Sequence, residues 1–146
     1  MKTYHRYAHE LKGSKAIYNY ITGGHGAVTL QSDVSGIHHT YSFHAPENRR
    51  PEEDTLFIYT CVGDDWVYVG MYRNKDFRLT AKSKFSKESA IVKGVAFILK
   101  LMLRDDYSDD RMHLFHEGVC CRCGRPLTNP ISIELGIGPK CAELGM

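Results

Sequence analysis

The chain has 146 residues, of which 42% are hydrophobic and 25% charged, and its formal net charge is +2 at pH 7. These values are ordinary for one globular domain, with or without a small appendage, and they exclude a global basic field that would by itself indicate nucleic-acid binding. No apolar stretch is long enough to span a membrane, and the segment MKTYHRYAHELKG lacks the apolar region of a signal peptide. Because four of the five cysteines cluster at one motif, we expect a reducing, cytoplasmic location.

The first half of the chain carries strand patterns. Residues 1–22 are rich in aromatic residues and histidines, and the glycine-rich segment 23–26 predicts a turn. Strand patterns follow at 27–32, 37–44, 56–62, 66–72 and, more briefly, 77–81. In the second of these, alternation places Tyr41 and Phe43 on one face and Ser42 and His44 on the other. The sequence therefore predicts three to five antiparallel strands.

Two further expectations concern the strands at 56–62 and 66–72. Alternation predicts that Trp66, Tyr68 and Tyr72 share one face, and Asp64 with Asp65 predicts the turn between the two strands. Cys61 is remote from the other cysteines, and we expect it to be a buried strand residue.

One long helix is predicted after the strands. Ser86 is the expected N-cap, and the apolar pattern continues to about Arg104. Its apolar stripe consists of Ile91, Val92, Val95, Ala96, Leu99, Met102 and Leu103. The opposite side carries Lys93, Phe97, Lys100 and Arg104 at helical spacing, and an acidic connector, 105–110, follows.

The C-terminal segment carries soft metal ligands at the spacing of a zinc site. Cys120 and Cys123 form a C-x-x-C motif, Cys141 follows Gly-Ile-Gly-Pro, and His116 is the expected fourth ligand. Cys121 and His113 compete for the fourth position, and a reduced, unligated knuckle or a disulfide is the alternative to zinc. The predicted fold class is α+β: a small antiparallel sheet packed by one long helix, 1–110, with a C-terminal zinc knuckle of treble-clef or ribbon type, 111–146.

The tail resembles an uncharacterised family of zinc-knuckle proteins from bacteriophages and mobile elements. The shared pattern is close to H-x-G-x-C-x-x-C-G-R-x-L-T-x-P-x-S-I-x-x-G-I-G-P-x-C and covers 116–141 here. Segments 16–24, 68–70 and 82–84 are also similar to such proteins, whereas Cys121 stands where a glycine is usual. The resemblance implies Zn²⁺ as the cofactor and the cytoplasm of a host cell as the location, but no activity.

We expect no catalysis. A site of three cysteines and one histidine is closed, whereas catalytic zinc keeps an open position for water. The order H-x-E followed by P-C-x-x-C that a zinc deaminase needs is not present, since no proline precedes Cys120.

The expected function is binding of nucleic acid, or of a nucleic-acid-handling complex, through a basic surface. Between Met71 and Lys93 seven lysines or arginines stand against two acids, with aromatic residues interleaved. The candidate binding residues are Arg73, Lys75, Arg78, Lys82, Lys84, Lys87, Lys93, Lys100, Arg104, Arg122 and Arg125. A solvated charged face is the ordinary alternative for such a pattern.

The rival hypothesis is a protein-directed inhibitor of a host defence system, of the restriction or CRISPR type, that acts by binding a host protein. Tyrosines predicted on one sheet face, Tyr59, Tyr68 and Tyr72, suit an interface because tyrosine, tryptophan and arginine are the usual interface anchors. The acidic segment 105–110 suits a protein partner as well as the basic residues do.

Overall fold

The computed structural model describes residues 10–36, 38–47, 54–63, 65–104, 109 and 111–117. This part of the chain contains two helices and six strands: α1 (Ser14–Ile21), β1 (His25–Ser32), β2 (His38–His44), β3 (Leu56–Val62), β4 (Asp65–Arg73), β5 (Asp76–Arg78), α2 (Ala90–Leu103) and β6 (Met112–His116). The strands form one sheet in the order β5-β4-β3-β2-β1-β6, and every neighbouring pair is antiparallel. The predicted α+β class is confirmed, whereas the predicted zinc knuckle lies outside the described residues.

The core lies between one face of the sheet and the two helices. On β2 the predicted faces are confirmed, because Tyr41 and Phe43 are fully buried in the core while Ser42, which is also buried, and His44 line one groove on the other face. The Tyr41 hydroxyl donates a hydrogen bond of 2.8 Å to the Ile91 carbonyl of α2, which joins the sheet to the helix. Burial raises the pKa of Tyr41, so the phenol stays protonated and remains the donor.

A β-bulge corrects the prediction that Trp66, Tyr68 and Tyr72 share a face. Ile58 pairs with Gly70 and the adjacent Tyr59 pairs with Tyr68, so Val69 is an extra residue in β4. The extra residue reverses the alternation along the strand. As a result Tyr72 is fully buried in the core, while Trp66 remains half exposed on the opposite face.

The long helix begins three residues later than predicted. Its N-cap is Ser89, whose hydroxyl accepts a 3.3 Å hydrogen bond from the Val92 amide. Ser86 instead accepts hydrogen bonds through its carbonyl from the Ser89 amide and hydroxyl. The buried stripe includes Ile98 in addition to predicted positions, whereas Ala96 is exposed rather than part of the stripe.

Two elements were not predicted, α1 and β6. The first covers the core with Ile17, Tyr20 and Ile21. Strand β6 lies in the segment assigned to the zinc module and pairs with β1. In this pairing Val28 is opposite His116 and Ser32 is opposite Met112. The sheet of the body therefore continues into residues 112–116.

The turn between β3 and β4 precedes Asp65, which is already a strand residue paired with Val62. Gly63 takes φ +62 there, a conformation that L side chains rarely adopt. Among the described residues, no helix is both long and apolar enough to cross a membrane.

The approach of α2 to the sheet depends on Gly94. A Cβ at this position would collide with the Tyr41 hydroxyl. We expect Gly94→Ala to destabilise the protein by about 1–2 kcal/mol, because overpacking outweighs the better helix propensity of alanine. Thermal and urea unfolding measure this change.

The Tyr41→Phe background provides the control for this substitution. Without the hydroxyl the nearest remaining Tyr41 atom is Cζ at 3.2 Å, so Gly94→Ala should cost less in that background. A Gly94→Ala variant as stable as the parent would contradict the close approach of helix and sheet.

Candidate functional site

The face of the sheet opposite the helices carries exposed and half-buried aromatic side chains on its central strands. Phe57 and Tyr59 alternate on β3 with the buried Leu56 and Ile58, so they point away from the core. Tyr59 pairs with Tyr68, and Cys61 pairs with Trp66. We call this part of the sheet, formed by His44, Phe57, Tyr59, Trp66 and Tyr68, the open face.

Rings on four successive strands contact one another in sequence. The ring centroids of His25 and His44 are 5.4 Å apart, those of His44 and Tyr59 6.2 Å, and those of Tyr59 and Tyr68 5.5 Å. The two contacts that involve His44 are edge-to-face, and the Tyr59–Tyr68 pair is close to this arrangement, which aromatic pairs prefer. Burial, and then the neighbouring His25, lower the pKa of His44, so this ring is neutral at pH 7.

Two adjoining grooves cross the open face and share Phe57 and Tyr59. The first has a volume of about 620 Å³ and is lined in addition by Tyr68, Ala81, Lys82 and Lys84. The second has a volume of about 460 Å³, and its lining includes His44, Glu47 and Trp66. Both grooves are open to solvent along the sheet surface. The two grooves differ in charge, since one contains two lysines and the other a carboxylate.

A tight turn holds Lys82 and Lys84 beside Tyr68. The Ser83 amide donates to the Thr80 carbonyl at 2.9 Å, and the Thr80 amide donates to the Ser83 hydroxyl at 2.8 Å. This turn is attached to β4 by hydrogen bonds of 3.4 Å, from the Thr80 hydroxyl to the Tyr68 hydroxyl and from the Lys84 amide to the Tyr68 carbonyl. Both lysines are exposed at the edge of the first groove.

The structure distributes the predicted basic residues over several surfaces. Lys82 and Lys84 lie at the open face, whereas Lys93 and Lys100 are exposed on α2, which covers the other face of the sheet. Lys87 is exposed just before α2, Arg104 is its C-cap, and Arg122 and Arg125 lie outside the described residues.

The two arginines near the β4–β5 turn have local partners. Arg73 donates through Nε to the Thr55 hydroxyl at 2.9 Å, and Arg78 forms a 3.1 Å ion pair with Asp76. Lys75 occupies the turn with φ +65 and is exposed. The side chains of Arg73 and Arg78 therefore partly serve to hold the hairpin together.

Cys61 is exposed, which corrects the expectation that it is buried. It lies on β3 opposite Trp66, on the outward side of the sheet, because the chain alternates from the buried Thr60. Its thiol contacts the Gly63 carbonyl at 3.3 Å.

His116, the predicted fourth zinc ligand, ends β6 and is fully buried. Its ring stacks on Tyr20 of α1 with a centroid distance of 5.3 Å. Tyr20 in turn lies close against β1 at Gly26, where a Cβ would be 3.0 Å from the tyrosine ring and carbonyl. Cys120, Cys121, Cys123 and Cys141 lie outside the described residues. Within 10–117 as described, no group of three or more candidate ligands could hold a metal ion.

His113 contacts carboxylates through both ring nitrogens. Nδ1 lies 2.7 Å from Glu10 and Nε2 lies 2.7 Å from Asp33. The bonds to Glu10 and then Asp33 raise the pKa of His113 above its ordinary value, which favours the charged ring. The cluster thus connects β6 to the start of the described chain and to the end of β1.

Glu117 directly follows β6 and fixes this end of the strand to the sheet. Its carboxylate accepts a 2.6 Å hydrogen bond from the hydroxyl of Thr29, which is fully buried and also lies 2.7 Å from the Thr40 hydroxyl. No local sequence pattern indicates this cluster, because Thr29 and Glu117 are 88 residues apart in the chain.

One comparison with known proteins gives a match. A family of unknown function, DUF6011, matches residues 111–144, a segment that includes β6 and the predicted zinc ligands. No curated protein and no solved structure matches the chain.

The His113 cluster predicts a pH-dependent contribution to stability. Because the folded-state pKa is raised, this contribution is fully present below the unfolded pKa of about 6.5 and is lost as the pH rises through the folded-state pKa. We expect His113→Gln to cost about 1 kcal/mol near pH 6, the upper end for a solvent-screened ion pair, and less near pH 9. Urea unfolding across this pH range measures the difference.

Glu10→Gln is the matched control, because it removes the larger of the two causes of the raised pKa. It should flatten the pH dependence while leaving the histidine in place. Equal costs of His113→Gln at pH 6 and pH 9 would refute an ionic contribution.

Proposed function

We propose that the protein is a non-catalytic, zinc-stabilised protein that binds nucleic acid at the open face. The observation that carries the proposal is the first groove, where the rings of Phe57, Tyr59 and Tyr68 lie beside Lys82 and Lys84. Aromatic rings that accept stacked bases, together with lysines that neutralise phosphates, form the usual surface for binding nucleic acid. This arrangement favours the open face over the exposed side of α2, because the two lysines of the open face line the same groove as three aromatic rings.

The second part of the proposal is a zinc site formed by His116, Cys120, Cys123 and Cys141. His116 fits this role because it is a buried ring at the end of β6, four residues before the first cysteine of the motif. His113 fits it less well, since both of its nitrogens already contact carboxylates. A zinc ion bound by three cysteines and one histidine would supply a closed cross-link and no site for activating water. It would thus connect the C-terminal segment to the sheet through β6.

The source and location remain part of the proposal. The C-x-x-C-G-R-x-L-T pattern and the Gly-Ile-Gly-Pro segment, which resemble zinc-knuckle proteins of bacteriophages and mobile elements, lie within the part that matches the family of unknown function. On this basis we infer that the protein acts in the cytoplasm of a host cell, where nucleic acid and the complexes that process it are accessible.

A second candidate function is inhibition of a host defence system by binding one of its proteins. The observation that favours it is the pair of exposed apolar side chains at the β3–β4 turn, Val62 and Trp66, which are 51% and 50% exposed. Exposed tryptophan is a frequent anchor of protein interfaces. If the protein bound a host protein through Trp66 and did not bind nucleic acid, this function would be favoured over the first.

Removing the groove lysines tests the proposed nucleic-acid interface. Because each lysine at a phosphate contributes about one unit to the salt slope, we expect Lys82→Ala with Lys84→Ala to lower that slope by about 1–2 and to weaken binding at low salt by about 10-fold. Fluorescence anisotropy with a labelled oligonucleotide measures both quantities between about 50 and 200 mM salt, the range over which lysine–phosphate contacts respond to salt.

Lys15→Ala with Lys93→Ala is the control, since it removes the same charge from exposed positions on the two helices. It should leave the salt slope almost unchanged. If both double variants weakened binding equally, the attraction would be that of the whole protein and the open face would not be the interface.

Loss of a cysteine tests the zinc site. The parent protein should contain about one zinc per chain, and Cys123→Ser should release this metal. The substitution should also lower the protection of the β6 amides from hydrogen exchange, while the β3 amides keep theirs. Elemental analysis and hydrogen exchange measure these effects. Cys61→Ser is the control, because this thiol lies on β3 outside the motif, and it should retain the metal. A Cys123→Ser variant that retained one zinc per chain would contradict the ligand set.

A further inference from the structure

We propose that the open face binds a single strand rather than a duplex, with unpaired bases stacking on Tyr59 and its neighbouring rings and with the phosphates at Lys82 and Lys84. This inference rests on the proposed function and specifies its ligand. Three features of the open face support it: its rings, its width and the distribution of its charges.

The rings of the open face offer surfaces on which unpaired bases can stack. Tyr59 and Tyr68 meet edge to face at an interplanar angle of 68°, so their contact covers part of one ring and the two rings are not stacked flat on each other. Trp66 on the adjacent strand is half exposed. The bases of a duplex stack on one another and show only their edges, whereas a splayed single strand shows base faces. A row of aromatic faces is therefore matched to a single strand.

The width of the ring row does not suit the major groove of a duplex. The ring row crosses β1, β2, β3 and β4, and four adjacent strands span about 14 Å between their outer axes at the usual strand spacing. The major groove of B-DNA is about 12 Å wide and admits a helix or a two-stranded ribbon. A face of four strands is wider than this groove, so its rings would stay outside the base edges that the groove displays.

The charges of the two grooves suit one phosphate backbone. Lys82 and Lys84 line the first groove, and Glu47 lines the second. A duplex would bring a second backbone toward the carboxylate, which repels phosphate. A single strand can place its phosphates at the lysines and its bases toward Tyr59 and Trp66. The Glu47 carboxylate can then accept hydrogen bonds from base amino groups.

The size of the two grooves predicts a short binding site. They adjoin at Phe57 and Tyr59 and have volumes of about 620 and 460 Å³. Sheet faces that stack bases on aromatic side chains hold about two or three bases. We therefore expect the affinity to depend on a few nucleotides and to increase little with further length.

The test uses the full chain with its metal and compares a labelled 12-nucleotide strand with the duplex formed from the same sequence. Fluorescence anisotropy gives the dissociation constants of the DNA single strand, the RNA single strand and the duplex at one salt concentration. We expect both single strands, or one of them, to bind at least about 10-fold more tightly than the duplex, and the difference between DNA and RNA identifies the natural ligand. A duplex that binds as tightly as the single strands overturns the inference.

Tyr59 provides the matched substitutions. Tyr59→Phe keeps the ring and should retain binding, whereas Tyr59→Leu removes it and should weaken single-strand binding about 5- to 100-fold without changing the salt slope. Unfolding temperatures of both variants show whether each remains folded, and Trp66→Leu, at an exposed position, repeats the test where folding is least affected.

The outcomes separate this inference from the proposed function. Absence of binding to all three ligands overturns both. Binding that is lost with Lys82→Ala and Lys84→Ala but unchanged by Tyr59→Leu and Trp66→Leu overturns base stacking and leaves the basic interface intact. Loss of binding in the leucine variants, with the duplex bound weakly, is the result that the inference requires.

Discussion

The extra residue Val69 in β4 decides which aromatic side chains enter the core and which remain available on the surface. On the side of β4 near β5, Tyr72 is buried opposite Leu56, and on the other side of the bulge Tyr68 faces outward opposite Tyr59. Regular pairing would place Tyr68 and Tyr72 on the same face. The core would then lack a large side chain, or the open face would lack its ring. The bulge thus supplies both surfaces of one strand with an aromatic residue.

The helices depend on similarly close contacts. Gly94 allows α2 to reach Tyr41, and Gly26 allows Tyr20 of α1 to lie on β1. Tyr20 then stacks on His116, so the position of α1 is connected with the end of β6. The core therefore holds His116, the proposed zinc ligand, through contacts that do not involve a metal. On the opposite face, Thr29 binds Glu117 and fixes the chain one residue further on.

Local patterns in the sequence predict much of this fold, but they fail where contacts between distant residues determine the structure. Strand 56–62 was predicted with its correct bounds, and β2 with the correct faces, because alternation is a local signal. The bulge at Val69, the burial of Tyr72 and the pairing of β6 with β1 result from contacts between distant segments. Helix α1 was missed because its eight residues, which include two tyrosines, an asparagine and a serine, give only a short periodic signal. Of the candidate site, the lysines and tyrosines could be named from sequence. The division of the lysines between the open face and the outer side of α2 follows from the position of that helix in the fold.

The pairing of β1 with β6 has a consequence for folding during synthesis. Thr29 and Glu117, which hydrogen-bond at one end of this pair, are separated by 88 residues. At the usual elongation rates the ribosome needs roughly 4 to 18 s to make that length of chain. During this time one edge of β1 has no β6 to pair with, and an unpaired edge can template pairing with another chain. The nascent protein is thus exposed to aggregation until its last described strand has left the ribosome.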